Sequence, residues 1–316
     1  MLKDTIVYAD ERLSAYNFGE RHPFGPKRYY AFEKEFMAQK LTSKVDIGQV
    51  VSADRAVIER FHTSEYVNHV IEASKEGLGF LDDGDTPAFK DVYNISSQVT
   101  GSVIDAVDRL MKGENQRAFI PIAGLHHANR DGAAGFCVFN DCGIAIETLR
   151  KRYKLQRVAY VDIDAHHGDG VFYSFERDPN LIFADIHEDG DFLFPGTGFA
   201  DETGKGDAIG TKLNISMNPE AGDSDFYAAW EKVESYLHAA KPQFVIFQCG
   251  ADSLKGDPIT HLAYSEKAYA HAAKSLCLIA DKYAKGRIIG LGGGGYNLDN
   301  IAQGWNAVVN AFVQPH

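Results

Sequence analysis

The chain has 316 residues, 45% of them hydrophobic, 24% charged and 12% aromatic, a balance that builds a sizeable core and excludes a disordered or fibrous protein. No stretch supplies the roughly 18 apolar residues of a membrane-spanning helix, and Met1-Leu2-Lys3-Asp4 lacks the charged-then-apolar run of a secretory leader, so a cytoplasmic protein with no membrane partner is expected. With 32 basic against 44 acidic side chains the net charge is −12, which repels a polyphosphate backbone and argues against nucleic acid as a partner.

No repeat, low-complexity tract or Pro/Ser-rich linker divides the chain, so one domain over residues 1–316 is expected. In the first hundred residues, 62–75 and 95–112 have helical patterns and 77–91 reads as a long acidic loop. From residue 117 onward, short apolar runs alternate with helical ones. Strands are predicted at 118–123, 158–163, 181–186, 244–248 and 288–291. Helices are predicted at 141–153, 225–240, 265–284 and 299–312, with Asp141, Asp225, Ser265 and Asp299 placed as caps near their N-termini. This alternation is the signature of crossover units around a parallel sheet, an α/β fold. Cys137, Cys142, Cys249 and Cys277 form no C-x-x-C pair and read as reduced thiols.

The unusual polar residues cluster where these strands end. The first run is followed by His126-His127. The second ends in Asp162-Ile-Asp164-Ala-His166-His167-Gly-Asp169, the third carries Asp185 and delivers His187, the fourth delivers Asp252, and the fifth delivers four glycines and Tyr296. In open α/β sheets the ligand crevice lies outside the carboxyl ends of the strands, so these distant stretches converge. Alternation along a strand and its exit turn puts Asp164 and His166 on one face, where both can bind one divalent cation. Asp252 is the best candidate for a third ligand, leaving a position open to water or substrate. Two carboxylates and one imidazole suit zinc, and also Fe(II), Co(II) or Mn(II). A lone His beside an Asp is usually a cap or a surface pair. Such groups at the ends of four apolar strands are different, because buried charge is costly unless paired or metal-bound.

An enzyme that activates water on a metal needs a group to take its proton near neutral pH and return it to a leaving amine, and imidazole suits that task. His126 and His127 are the candidates, with Asp162 and Asp169 left over to orient them. Gly292 to Gly295 permit close backbone approach and can project the Tyr296 hydroxyl into the crevice to polarise a carbonyl. Residues 290–295 also match G-x-G-x-x-G formally, but the acidic residue expected about 20 positions later in a dinucleotide site is missing.

Taken in order, these motifs resemble the zinc-dependent histone deacetylases and acetylpolyamine amidohydrolases of the arginase/deacetylase superfamily, in their bacterial form. The resemblance runs from Tyr16-Asn-Phe-Gly-Glu-Arg-His-Pro-Phe-Gly-Pro-Lys-Arg28 through Gly124-Leu-His-His-Ala, Gly135-Phe-Cys-Val-Phe-Asn-Asp, Val161-Asp-Ile-Asp-Ala-His-His-Gly-Asp-Gly, Phe194-Pro-Gly-Thr-Gly and Gly250-Ala-Asp to Leu291-Gly-Gly-Gly-Gly-Tyr. It implies a single arginase-like α/β domain with a largely parallel eight-stranded sheet flanked by helices. It further implies Asp164, His166 and Asp252 as zinc ligands, Tyr296 as the carbonyl-polarising hydroxyl, and His127 as general base and then acid. His126 would be its electrostatic partner, with Asp169 and Asp162 behind His127 and His126 respectively. Phe136, Phe194 and Gly135 would line a narrow acyl-lysine tunnel with parallel aromatic rings, and Asp85 would hold substrate amides at its rim. Arg28 matches the arginine of an internal acetate channel. A potassium ion is implied near Asp162, Asp164 and His166, where Asp185 stands in place of the serine common among nuclear relatives.

The expected activity is therefore metal-dependent hydrolysis of an acetamide. The acidic groups Asp82, Asp83, Asp85, Glu188, Asp189 and Asp191 near the presumed mouth favour a small cationic acetylated amine such as an acetylpolyamine. An acetylated protein is the alternative substrate. A dinuclear arginase-like hydrolase and a non-catalytic acylamine-binding module are the rival functions.

Overall fold

The computed structural model describes residues 3–19 and 21–315, so Met1-Leu2 of the leader reading and Glu20 of the first motif lie outside the described residues. Eight strands form one all-parallel sheet: β1 (Thr5–Val7), β2 (Asp46–Ile47), β3 (Arg117–Ile120), β4 (Val158–Asp162), β5 (Leu181–Glu188), β6 (Lys212–Met217), β7 (Phe244–Gln248) and β8 (Ile288–Leu291). Their order across the sheet is β2-β1-β3-β8-β7-β4-β5-β6. Among the described residues nine helices accompany them: α1 (Lys27–Ala38), α2 (Arg55–Ile58), α3 (Ser64–Glu76), α4 (Val92–Lys112), α5 (Asp141–Lys151), α6 (Asp169–Phe175), α7 (Asp223–Ala240), α8 (Glu266–Tyr283) and α9 (Leu298–Phe312). One group, α1 with α7 to α9, packs together, and α2 to α6 form another. The central strands are buried along their whole length, as a sheet covered on both faces requires.

All five predicted strands are present, and 244–248 and 288–291 coincide with β7 and β8. The first ends early, at Ile120, because Pro121 has no N–H to donate to a neighbouring strand. The third runs two residues further than predicted and carries His187 and Glu188 into the sheet. Three strands were not predicted. β1 and β2 are only three and two residues long, and the edge strand β6 interleaves Lys212, Asn214 and Ser216 with its apolar residues. Three of the four predicted caps are displaced. Asn140 and Asn297 cap α5 and α9, whereas Asp141 turns inward and accepts the backbone N–H groups of Gly124 and Leu125. Ser265 caps α8 as expected, whereas Asp225 lies inside the first turn of α7 and its carboxylate accepts the N–H of Gly222, the residue at the cap. Residues 77–91 contain neither helix nor strand, as predicted.

The parallel register levels the carboxyl ends of the strands. Ile120 pairs with Leu291, Leu291 with Gln248, Gln248 with Asp162, Asp162 with Asp185 and Asp185 with Asn214. The loops after β3, β4, β7 and β8, which carry the histidine pair, the Asp164–His166 segment, Asp252 and Tyr296, therefore leave the sheet at the same height. Among the described residues no helix is long and apolar enough to cross a membrane, and all four cysteines are buried and unbonded.

Candidate active site

Above this row lie three side chains on two adjacent strands. Asp164 and His166 follow β4, and Asp252 follows β7. One ligand atom from each lies within 4.8 Å of the others, and all three residues are buried. His166 Nδ1 stands 3.1 Å from Asp164 Oδ1 and 3.2 Å from Asp252 Oδ2. Ligands about 2 Å from a tetrahedral ion lie about 3.3 Å from one another, so this spacing suits a divalent cation. The remaining atoms are anchored by the protein. Asp252 Oδ1 accepts Ala165 N–H at 2.9 Å, and Asp164 Oδ2 accepts Gln248 Nε2 and Gly294 N–H, each at 2.9 Å. Asp252 Oδ2 accepts no hydrogen bond although it is buried, which is the state expected of a ligand atom reserved for a metal. A Cβ at Gly294 would collide with both carboxylates, so only glycine lets the backbone close over them.

Electrostatics point the same way. Burial, and then the charge of Asp164, push the Asp252 carboxyl up to about 7. Burial would also raise Asp164, but the charge of His126 and the hydrogen bond from His166 outweigh it and hold that carboxyl well below its usual range. Burial opposes a charged His166, yet its hydrogen bond to Asp164 and the negative charge of both Asp164 and Asp252 raise it well above an ordinary imidazole. The cluster demands compensating positive charge, which a divalent cation satisfies once His166 yields its proton. Among the described residues this is the one group of three or more side chains arranged to hold a metal.

His126 and His127 face the cluster from the loop after β3. His126 Nδ1 is 2.8 Å from Asp162 Oδ2, His127 Nδ1 is 2.6 Å from Asp169 Oδ1, and the two Nε2 atoms are 3.2 Å apart. Each imidazole is thus oriented by its own carboxylate. Burial, reinforced by His126, lowers the His127 pKa. Tyr296 leaves β8 on the glycine loop and lines the same cavity; burial raises its hydroxyl well above the ordinary phenol range.

The cavity has a volume of about 250 Å³, and its walls include Gly135, Phe136 and Phe194, with Asp85 at its edge. A Cβ at Gly135 would strike the His127 ring. The two phenylalanines do not stack on each other. Phe136 packs edge-on against Tyr296 and Phe194 edge-on against His127, so each ring is braced on a catalytic candidate. Asp82 Oδ1 gathers the N–H groups of Gly84, Asp85 and Thr86, while Thr86 Oγ1 donates to Asp85 and accepts Phe136 N–H, tying the rim loop to the wall. Burial and the neighbouring Asp82 push Asp85 up to about 6. Glu188 is not at the mouth. It is buried and held by His261 through both oxygens, so the expectation that it attracts a cation is corrected.

Arg28 is buried beneath the glycine loop, where Nε and Nη2 donate to the carbonyls of Gly295 and Gly293 and Nη1 has no partner. Asp185 has both oxygens engaged, one by His187 Nδ1 at 2.7 Å and one by Gly168 N–H at 2.9 Å. Sequence reasoning missed Gln248, which steadies Asp164, and Asp257, which accepts the backbone N–H of Tyr296 at 2.7 Å. A polar residue closing an apolar strand was the available signal for Gln248. Nothing in the sequence connects Asp257 with Tyr296.

Comparison with known proteins agrees with this geometry. The histone deacetylase domain family matches residues 22–312. The acetoin utilization protein AcuC of Bacillus subtilis (strain 168) is 32% identical over 324 residues, covering 99% of this chain and 81% of that protein. AcuC of Staphylococcus aureus (strain MRSA252) is 33% identical over 320 residues, covering 98% and 82%. The crystal structure of the HDA15 HD domain superposes with a TM-score of 0.90 at 26% identity, covering 98% of this chain and 89% of that one. The chain belongs to the histone deacetylase family, and that membership supports a deacetylase, a hydrolase. The shared architecture is a single α/β domain built on the eight-stranded parallel sheet.

Metal analysis tests the cluster directly. Protein loaded with zinc and then desalted is expected to retain one ion per chain, and Asp252→Ala or His166→Ala to retain almost none while remaining folded by circular dichroism. Two ions per chain in the unaltered protein would favour a dinuclear site.

Proposed function

We propose that residues 1–316 form one catalytic domain, a metal-dependent amidohydrolase that removes acetyl groups from acetylated amines in the cytoplasm. Small cationic acetylamines of the acetylpolyamine type are favoured over acetylated proteins. The observation that carries the hydrolytic reading is the unpartnered Asp252 Oδ2, buried beside Asp164 and His166 and overlooked by two carboxylate-backed histidines. The donor set accommodates zinc, and Fe(II) or Co(II) as alternatives. A divalent ion held there supplies Lewis-acid polarisation of the amide carbonyl and makes a neighbouring water more acidic.

The chain's own groups supply the rest. His127 is neutral near pH 7 because burial lowers its pKa, and with Nδ1 engaged by Asp169 its Nε2, which lies beside His126 Nε2, is the nitrogen left to take a proton from the attacking water. As the water oxygen bonds to the carbonyl carbon, the Tyr296 hydroxyl, kept protonated by burial, donates to the developing oxyanion. His127 then returns the proton to the amine nitrogen, the C–N bond breaks, and acetate and amine separate. His126, whose Nε2 lies 3.2 Å from that of His127, lowers the pKa of that imidazole and so favours return of the proton to the leaving amine. Phe136 and Phe194 confine the alkyl stem and exclude water.

The substrate preference rests on the narrow cavity and on Asp85, supported by exposed Asp83 and Asp191. Potassium near Asp162, Asp164 and His166 is part of the same proposal, with Asp185 held beside it by His187 Nδ1 and Gly168 N–H.

Turnover of N-acetylputrescine, N8-acetylspermidine and an acetyl-lysine peptide, measured side by side, decides the substrate class. The acetylpolyamines are expected to be hydrolysed faster, and exclusive turnover of the peptide would reverse the preference. Tyr296→Phe should lower kcat by about 10²- to 10³-fold, as loss of an oxyanion donor does, with metal content unchanged. Asp169→Asn removes a carboxylate that raises the His127 pKa, so the acidic limb of kcat/KM should move to lower pH while kcat falls. An unmoved limb would assign the proton transfer elsewhere.

A further inference from the structure

Tyr160 has no part in the mechanism above, yet its hydroxyl ends inside it. It lies on β4 two residues before Asp162, so alternation sets these two side chains along one face of the strand. The ring is fully buried and stacks on Phe183, its register partner on β5, with centroids 5.5 Å apart and planes inclined by 24°. A phenylalanine would pack there equally well. The hydroxyl, however, donates to Asp162 Oδ2 at 2.5 Å, the same oxygen that holds His126 Nδ1 at 2.8 Å. The other oxygen, Oδ1, accepts Asp164 N–H at 3.0 Å.

We propose that Tyr160 is a positioning residue for the hydrolysis, fixing through its hydrogen bond to Asp162 Oδ2 the carboxylate that orients His126 against His127. The terminal torsion of an aspartate is broad and intrinsically permits rotation of the carboxylate plane. Here Asp164 N–H pins one oxygen and Tyr160 pins the other, so the plane is set from two sides. His126 Nδ1 then meets a fixed acceptor, and its Nε2 is held at 3.2 Å from the Nε2 of His127. Water has little room to replace the hydroxyl. A Cβ added at Gly168 would fall 2.9 Å from Asp162 Oδ2 and 3.3 Å from the Tyr160 oxygen, which shows how closely the backbone covers the pair. A buried hydroxyl is costly unless hydrogen-bonded, and this one is bonded to the carboxylate of the histidine dyad.

The inference rests on the roles assigned to His126 and His127 above, so its test includes a reading that needs no turnover. Zinc-loaded wild type and Tyr160→Phe are compared by the kcat and KM of whichever substrate, N-acetylputrescine or an acetyl-lysine peptide, the wild type hydrolyses. The His126 Nδ1–H resonance is followed in parallel in ¹⁵N-labelled protein. Tyr160→Phe should lower kcat about 10-fold, the scale of one lost hydrogen bond to a charged group, with KM within about twofold and the His126 resonance displaced. Phe183→Leu, which loosens the ring packing and leaves the hydroxyl in place, should lower Tm with kcat within about twofold of wild type. An unchanged His126 resonance in Tyr160→Phe, or an unchanged kcat, overturns the proposal. So does a loss of kcat in Phe183→Leu as large as in Tyr160→Phe, since packing alone would then account for the effect. If neither substrate is hydrolysed by the wild type, the functional reading fails, and the resonance still decides whether Tyr160 sets His126.

Discussion

Four aspartates, Asp162, Asp164, Asp185 and Asp252, are packed almost without solvent, Asp185 within β5 and the others at or just beyond the ends of the neighbouring strands β4 and β7. Carboxylates so confined repel one another and lose their hydration, a cost of several kcal/mol for each charge unless something opposes it. The surrounding structure is organised as that opposition. His187 faces Asp185, His126 faces Asp162, and backbone N–H groups of Ala165, Gly168 and Gly294 are aimed at the remaining oxygens. One atom, Asp252 Oδ2, is left over, and the place for a divalent cation is defined by that remainder.

The same constraint explains the rigidity of the walls. Gly294 and Gly135 bring backbone against the carboxylates and against His127 where any side chain would intrude. Arg28 donates to the carbonyls of Gly293 and Gly295 and so holds the loop that presents Tyr296, while Asp257 takes the tyrosine's own N–H. The glycine loop is therefore flexible in composition and fixed in place. Preorganisation of this kind lets a hydroxyl and an imidazole act without moving when charge develops.

Charge at the entrance is more selective than the count of acidic residues suggests. Glu188 is taken out of play by His261, and Asp82 is bound up with the N–H groups of its own loop. Asp85 is the carboxyl that this loop brings to the cavity edge, through Thr86 and the Phe136 backbone.

The apolar runs that became β3, β4, β5, β7 and β8 were legible because a parallel sheet buried on both faces demands continuous apolar strands, and the polar residues after them stood out by contrast. The short strands β1 and β2 and the alternating edge strand β6 gave no such contrast. Chemical type and order along the chain were thus enough to nominate Asp164, His166, Asp252, the histidine pair and Tyr296. What only the tertiary structure decided is that Asp141 and Glu188 are internal props, and that Gln248, Asp257 and Tyr160 reach into the site. Those assignments depend on strand register and on hydrogen bonds between residues far apart in the chain, and sequence spacing carries no information about either.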